Sequence, residues 1–159
     1  MKNKRWIWFF VVVIVLSLAA MAALISYNLS LQLKPEQLQA ARELWREKGL
    51  QSYQLSYTIK RGIEGSKDSY VVRVRNGRVV SSQVNGKPEP RERYAFRGMD
   101  ALFHDVTRFQ EMDGEPGRPR TYTRAWFDEK NGAIRKYVRR VMGSHERTEI
   151  DVEALEPLE

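Results

Sequence analysis

Hydrophobic and polar positions follow three different rhythms along this chain. Trp6 to Ile25 (WIWFFVVVIVLSLAAMAALI) is apolar all round: 20 residues without a charge, with Ser17 as its one hydroxyl. As a helix rising 1.5 Å per residue, that length spans about 30 Å, the thickness of a bilayer's hydrocarbon core. From Pro35 the apolar positions take helical spacing. Leu38, Ala41 and Trp45 share a face, Pro35 suits the first turn, Glu36 follows it, and Gly49 marks the stop. The period then changes to two. Tyr53, Leu55, Tyr57 and Ile59 alternate with polar partners as in a strand with one wet face, and Gly62–Asp68 reads as a loop.

Tyr70–Arg75 predicts a second strand, which Asn76-Gly77 turns back into a third, Arg78–Val84. A two-residue turn with regular pairing would set Val74 opposite Val79, Val72 opposite Ser81 and Arg73 opposite Val80. The side bearing Arg73 and Arg75 would then be the wetter one. Pro88–Arg97 reads as an irregular charged crossing. Met99, Leu102, Phe103, Val106 and Phe109 recur at helical spacing and predict another amphipathic helix. Strands follow over Arg120–Phe127, Ala133–Met142 and His145–Val152, with Asn131-Gly132 between the first two. A helix and three strands thus occur twice, and each half carries an Asn-Gly. The fold class expected is α+β: an N-terminal transmembrane helix, then a mostly antiparallel six-stranded sheet with two helices on one face.

Charge sets the expected topology. Lys2, Lys4 and Arg5 precede the apolar run, whereas Lys34 is the only basic residue between Ser26 and Gln39. This asymmetry predicts a cytoplasmic tail (1–5), a transmembrane signal anchor (6–25), a linker (26–33) and an extracytoplasmic domain (34–159). Ala20-Met21-Ala22 matches the small-x-small pattern of a cleaved signal peptide, but the apolar run exceeds the usual core of about 7–15 residues. The expected location is the cell membrane, crossed once, with the working domain outside. Nucleic acid is then not an expected partner.

The chain has no cysteine, which excludes a disulfide framework, thiolate metal sites, cysteine nucleophiles and lipid-modified cysteine. Its two histidines leave little for a histidine metal site, and no nucleotide fingerprint or cofactor motif occurs. His104 and Asp100 stand four apart on one predicted helix, a spacing a base and its orienting carboxylate would use. No serine nucleophile accompanies them, and the pair falls on the helix's polar side. His145 lies beside Glu146 after a turn. Asp128, Glu129 and Asp151 are not arranged as a cation-binding loop. The expected protein is therefore not an enzyme and uses no cofactor.

Arginines offer the other candidate. Without Lys2, Lys4 and Arg5, 24 of the 27 basic residues face 20 acidic ones. If Asp128 pairs with Ala133 around a four-residue loop, regular pairing brings Tyr122 to Arg139, Arg124 to Tyr137 and Trp126 to Arg135. Such a ladder of guanidinium groups on rings, each contact contributing about 0.5–1 kcal/mol, would suit an anionic polymer or lipid headgroups. The alternative is that these arginines shield the rings and guard the sheet against edge pairing.

Trp45, Ser52-Tyr53, Val72-Arg73-Val74 before Asn76-Gly77-Arg78-Val79, Leu102-Phe103, and Phe127-Asp128 ahead of Gly132 together resemble a bacterial family of exported proteins, the domain of unknown function family 6174. The resemblance covers roughly Leu38 to Val152. It implies a secreted, membrane-anchored or lipid-modified protein and transfers no catalytic residue. Many members carry two cysteines near the first hairpin, and this chain lacks them. The reading is a binding or adaptor protein of the cell envelope, with an envelope protein or anionic polymer as partner. Its oligomeric state is not legible in the sequence. The competing class is a small envelope enzyme using His104 or His145.

Overall fold

The computed structural model describes residues 3–62 and 64–158. Lys2 of the N-terminal charge cluster and Ile63 of the Gly62–Asp68 loop lie outside the described residues. The chain divides into two compact units, Met1–Gln32 and Leu33–Glu159.

The first unit is one helix, α1 (Asn3–Ser30), and its segment Trp6–Tyr27 is long and apolar enough to cross a membrane. The helix continues through Ser26–Ser30, where the sequence reading set a linker. No glycine or proline occurs before Pro35, so nothing there stops it. Ser17 Oγ donates to the Val13 carbonyl at 2.8 Å, which satisfies the hydroxyl within its own helix.

The second unit is α+β. Its sheet contains β1 (Tyr53–Arg61), β2 (Lys67–Arg75), β3 (Arg78–Val84), β4 (Lys87–Pro88), β5 (Thr121–Phe127), β6 (Ile134–Val141) and β7 (Arg147–Pro157). The strand order is β4-β3-β2-β1-β7-β6-β5, and every neighbouring pair is antiparallel. Among the described residues the sheet has seven strands where six were expected. The addition is the two-residue β4, turned back at Asn85-Gly86, whose φ angles of 52° and 76° match the positive values at Asn76-Gly77. Pro88 argues against a strand in the middle of a sheet, but β4 lies at the edge, where proline is tolerated. β7 also runs five residues beyond Val152, because Leu155 packs on the core and Leu158 N–H donates to the Ser52 carbonyl at 3.0 Å.

Two helices cover one face of this sheet: α2 (Pro35–Lys48) and α3 (Met99–Asp113). Lys34 N–H donates to Gln37 Oε1 at 3.0 Å and fastens the start of α2, where proline needs no hydrogen of its own. Leu38, Ala41 and Trp45 of α2 join Met99, Leu102, Phe103 and Val106 of α3 in one core with Leu55, Tyr57, Val72, Ile134, Tyr137 and Ile150. The Trp45 ring meets Tyr53 edge-on at 5.6 Å, and Phe103 stacks with Phe127 at 6.4 Å. A 3-10 helix, η1 (Arg91–Phe96), occupies the charged crossing before α3.

Both sheet edges are blunted. At one, β4 is short and Glu89 N–H donates to the Ser82 carbonyl at 2.9 Å; at the other, Leu33 N–H donates to the Thr123 carbonyl at 2.9 Å.

Candidate functional site

The predicted ladder of arginines on aromatic rings does not form. Asp128 N–H does donate to the Ala133 carbonyl at 2.8 Å, as the loop assignment required, but the register then shifts between Trp126 and Phe127. Arg135 takes no regular partner there, and every later pair moves by one. Tyr122 lies opposite Arg140, Arg124 opposite Val138, and Trp126 opposite Lys136. A one-residue slip sends a side chain to the other face of a sheet, and a bulge has this effect here. The first hairpin behaves alike: Val74 does oppose Val79, but a shift after them sets Arg73 against Ser81 and Val72 against Ser82.

The six predicted residues therefore separate. Tyr122, Arg124 and Trp126 point away from the helices, and the Arg124 guanidinium lies over the Trp126 ring at 4.7 Å, two residues along its own strand. Tyr137 and Arg139 point into the core side, where both are buried. Arg135, at the bulge, is paired with Asp128 through its Nη2 and Nε. That pairing, with the Lys130 N–H, holds the Asp128 carboxyl below its ordinary value.

Arg139 has a structural role that the sequence did not disclose. Its Nε and Nη2 grip Asp113 at the end of α3 at 2.8 and 2.5 Å, and the two side chains are only 8% and 10% exposed. Its guanidinium also lies 5.2 Å from the centre of the Phe109 ring, which stacks on Tyr137. The clamp ties the C-terminal turn of α3 to β6. Tyr137 Oη is buried without a hydrogen-bond partner among the described residues, and burial pushes its pKa up. An unmatched buried hydroxyl costs about 1–3 kcal/mol. Tyr137→Phe, which keeps the stacking ring, is therefore expected to leave the urea midpoint unchanged or raise it.

A second ionic cluster lies at the opposite end of the sheet and was not foreseen. An open cleft of about 630 Å³ is lined by Arg61, Asp68, Tyr70, Lys87, Glu89, Arg93 and Arg97. Arg97 Nη2 and Nε bond the two Glu89 oxygens at 2.6 and 2.7 Å, and Ser82 Oγ donates to the same carboxylate at 2.6 Å. The Arg97 guanidinium lies 4.8 Å over Tyr70, which stacks on Tyr57 at 4.8 Å. Burial pushes Tyr57 well above the normal phenol range, so it keeps its proton at neutral pH, and burial also raises the Asp105 carboxyl on α3 above its ordinary value. Spacing gave no sign of this cluster, because Glu89 and Arg97 lie in the segment read as irregular.

The Arg97 hydrogen bonds hold the Glu89 carboxyl below its ordinary value of 4.5. A carboxylate depressed in the folded state adds stability above its unfolded value and loses it as pH falls through the folded one. Stability is therefore expected to drop on acidification below about pH 4.5. Glu89→Gln should lower the midpoint at neutral pH and remove part of the acid slope, measured by urea unfolding across that range.

His104 is exposed on α3 and His145 is exposed in the β6–β7 turn. No group of three or more histidine or acidic side chains able to hold a metal ion occurs among the described residues. No protein-family model matches the chain, and no curated protein matches it.

Proposed function

We propose that the chain is a single-pass membrane protein of the cell envelope, with its C-terminal domain outside the cytoplasm and acting by binding, as an adaptor or accessory factor. One observation carries this reading: every side chain from Trp6 to Leu16, together with Leu18, Met21, Leu24, Ile25 and Tyr27, exposes its apolar surface. An uninterrupted apolar surface of that length is not a water-facing one, and a bilayer is the solvent that suits it. Lys4 and Arg5 before the span, against Lys34 alone shortly after it, favour a cytoplasmic N-terminus. Binding is favoured over catalysis because two charged pairs of low exposure, Arg139–Asp113 and Arg97–Glu89, are engaged bidentately and fasten one element to another.

The test is capture from detergent-solubilised envelope with the full-length chain, at low and at high salt, read by mass spectrometry. A defined protein partner that survives high salt supports the adaptor role. Recovery of no envelope component at either salt contradicts it.

A further inference from the structure

The chain joins the C-terminal unit at the β5 edge. Leu33 is buried, and its N–H bonds the Thr123 carbonyl at 2.9 Å. Only residues 28–32 lie between Tyr27, the last residue of the apolar span, and Leu33. Fully extended, that stretch reaches roughly 20 Å. The tether between the apolar span and the residue that bonds β5 is therefore no longer than that.

The side chains flanking Thr123 on the outward face are Tyr122 and Arg124, with Trp126 one step further. Trp126 is 40% exposed, a large ring left open on a sheet face. The Arg124 guanidinium lies over its ring at 4.7 Å, and a guanidinium held over a ring keeps N–H donors for other partners. Arg140, exposed, stands opposite Tyr122 on β6.

Charge on this face is unevenly committed. Lys136 is held by Glu149 at 2.9 Å and Asp151 at 3.3 Å, Arg147 by Glu149 at 3.0 Å, and Arg135 by Asp128. Among the described residues no carboxylate pairs with Arg124 or Arg140. The part of the face nearest the tether thus combines two uncommitted guanidinium groups with a tryptophan and a tyrosine. Amphipathic rings of these two types favour the headgroup level of a bilayer, and guanidinium groups match phosphates by shape as well as charge.

We infer that Tyr122, Arg124, Trp126 and Arg140 form a contact surface for anionic phospholipid headgroups of the membrane that α1 spans. The inference rests on the anchored reading above. Its occupant is committed by charge complementarity and by the short tether: an anionic lipid surface is the one partner the chain itself keeps within reach. The contact would hold the β5 edge against the bilayer and leave the cleft around Arg97 at the far end of the sheet order.

The full-length chain, reconstituted into nanodiscs with or without anionic phosphatidylglycerol and carrying a headgroup-attached nitroxide quencher, tests this. With Trp6 and Trp8 replaced by phenylalanine, emission reports Trp126 beside the core residue Trp45; Trp126→Phe, with Trp6 and Trp8 retained, reports the anchor. Quenching of Trp126 is expected only with the anionic lipid, and it should fade at high salt. Arg124→Ser and Arg140→Ser should each weaken the contact about fivefold. Unquenched Trp126 alongside quenched Trp6 and Trp8, or quenching indifferent to the anionic lipid, overturns the inference and leaves the anchor standing. Absence of quenching at all three overturns the anchored reading, and the inference with it.

Discussion

Gly132→Val is expected to destabilise the domain by about 3–5 kcal/mol, combining left-handed backbone strain with overpacking. Gly132 has φ +75°, and a Cβ there would run into the Ala41 carbonyl and the Trp45 amide of α2, with Leu44 Cβ at 3.0 Å. The obstacle is helix backbone, which cannot swing aside as a flexible side chain can. Gly132 is thus the point where the β5–β6 loop touches α2, and any side chain there pushes the helix off the sheet. Gly132→Asn separates the two causes, because asparagine tolerates positive φ but still carries a Cβ. It should stay strongly destabilised. Gly86, with φ +76° and open space around it, provides the control: Gly86→Asn should cost under about 1 kcal/mol. Urea unfolding of the three variants reads these differences directly.

The other large effect belongs to the clamp between α3 and β6. Arg139→Met leaves the Asp113 carboxylate, 10% exposed, without its bidentate partner. Breaking such a pair from one side is expected to cost about 3–5 kcal/mol, because the remaining charge stays in a poorly solvated place. Asp113→Leu should cost a similar amount. The double variant should recover most of the loss, since two apolar side chains carry no desolvation penalty. A thermal or urea series over the four proteins gives the coupling. Equal and additive losses would mean that the pair contributes nothing beyond its packing.

Much of the fold was legible because period and punctuation agreed. Leu38, Ala41 and Trp45 sit on the buried face of α2; Met99, Leu102, Phe103 and Val106 do so on α3; and Tyr53, Leu55, Tyr57 and Ile59 are buried along β1 as alternation required. Asn76-Gly77 turned as expected. Pairing across strands was not legible, because a bulge leaves no mark in alternation. Regular pairing from Asp128 and Ala133 would have put Arg139 beside Tyr122, whereas the extra residue at Arg135 turned it into the core. The candidate site built on that register came apart for this reason, and only Arg124 on Trp126 remained as a guanidinium–ring contact among its members. The Arg97–Glu89–Ser82 cluster stayed hidden for another reason. Its members come from β3, the segment after β4, and the residue following η1, and only the folded sheet edge brings them together.

The absence of cysteine allows a direct test of whether the chain is anchored with its domain outside the cytoplasm. A single cysteine at the exposed loop position Glu129, or at exposed Lys4 before the apolar span, gives each side of the span one reactive thiol. A membrane-impermeant maleimide is applied to intact cells and then to permeabilised ones, with the labelled protein weighed in the membrane fraction. Glu129→Cys is expected to react in intact cells at full-length mass, while Lys4→Cys reacts only after permeabilisation. Labelling of Lys4→Cys but not Glu129→Cys in intact cells, or a product shortened at the Ala20-Met21-Ala22 segment and released from the membrane, would contradict it.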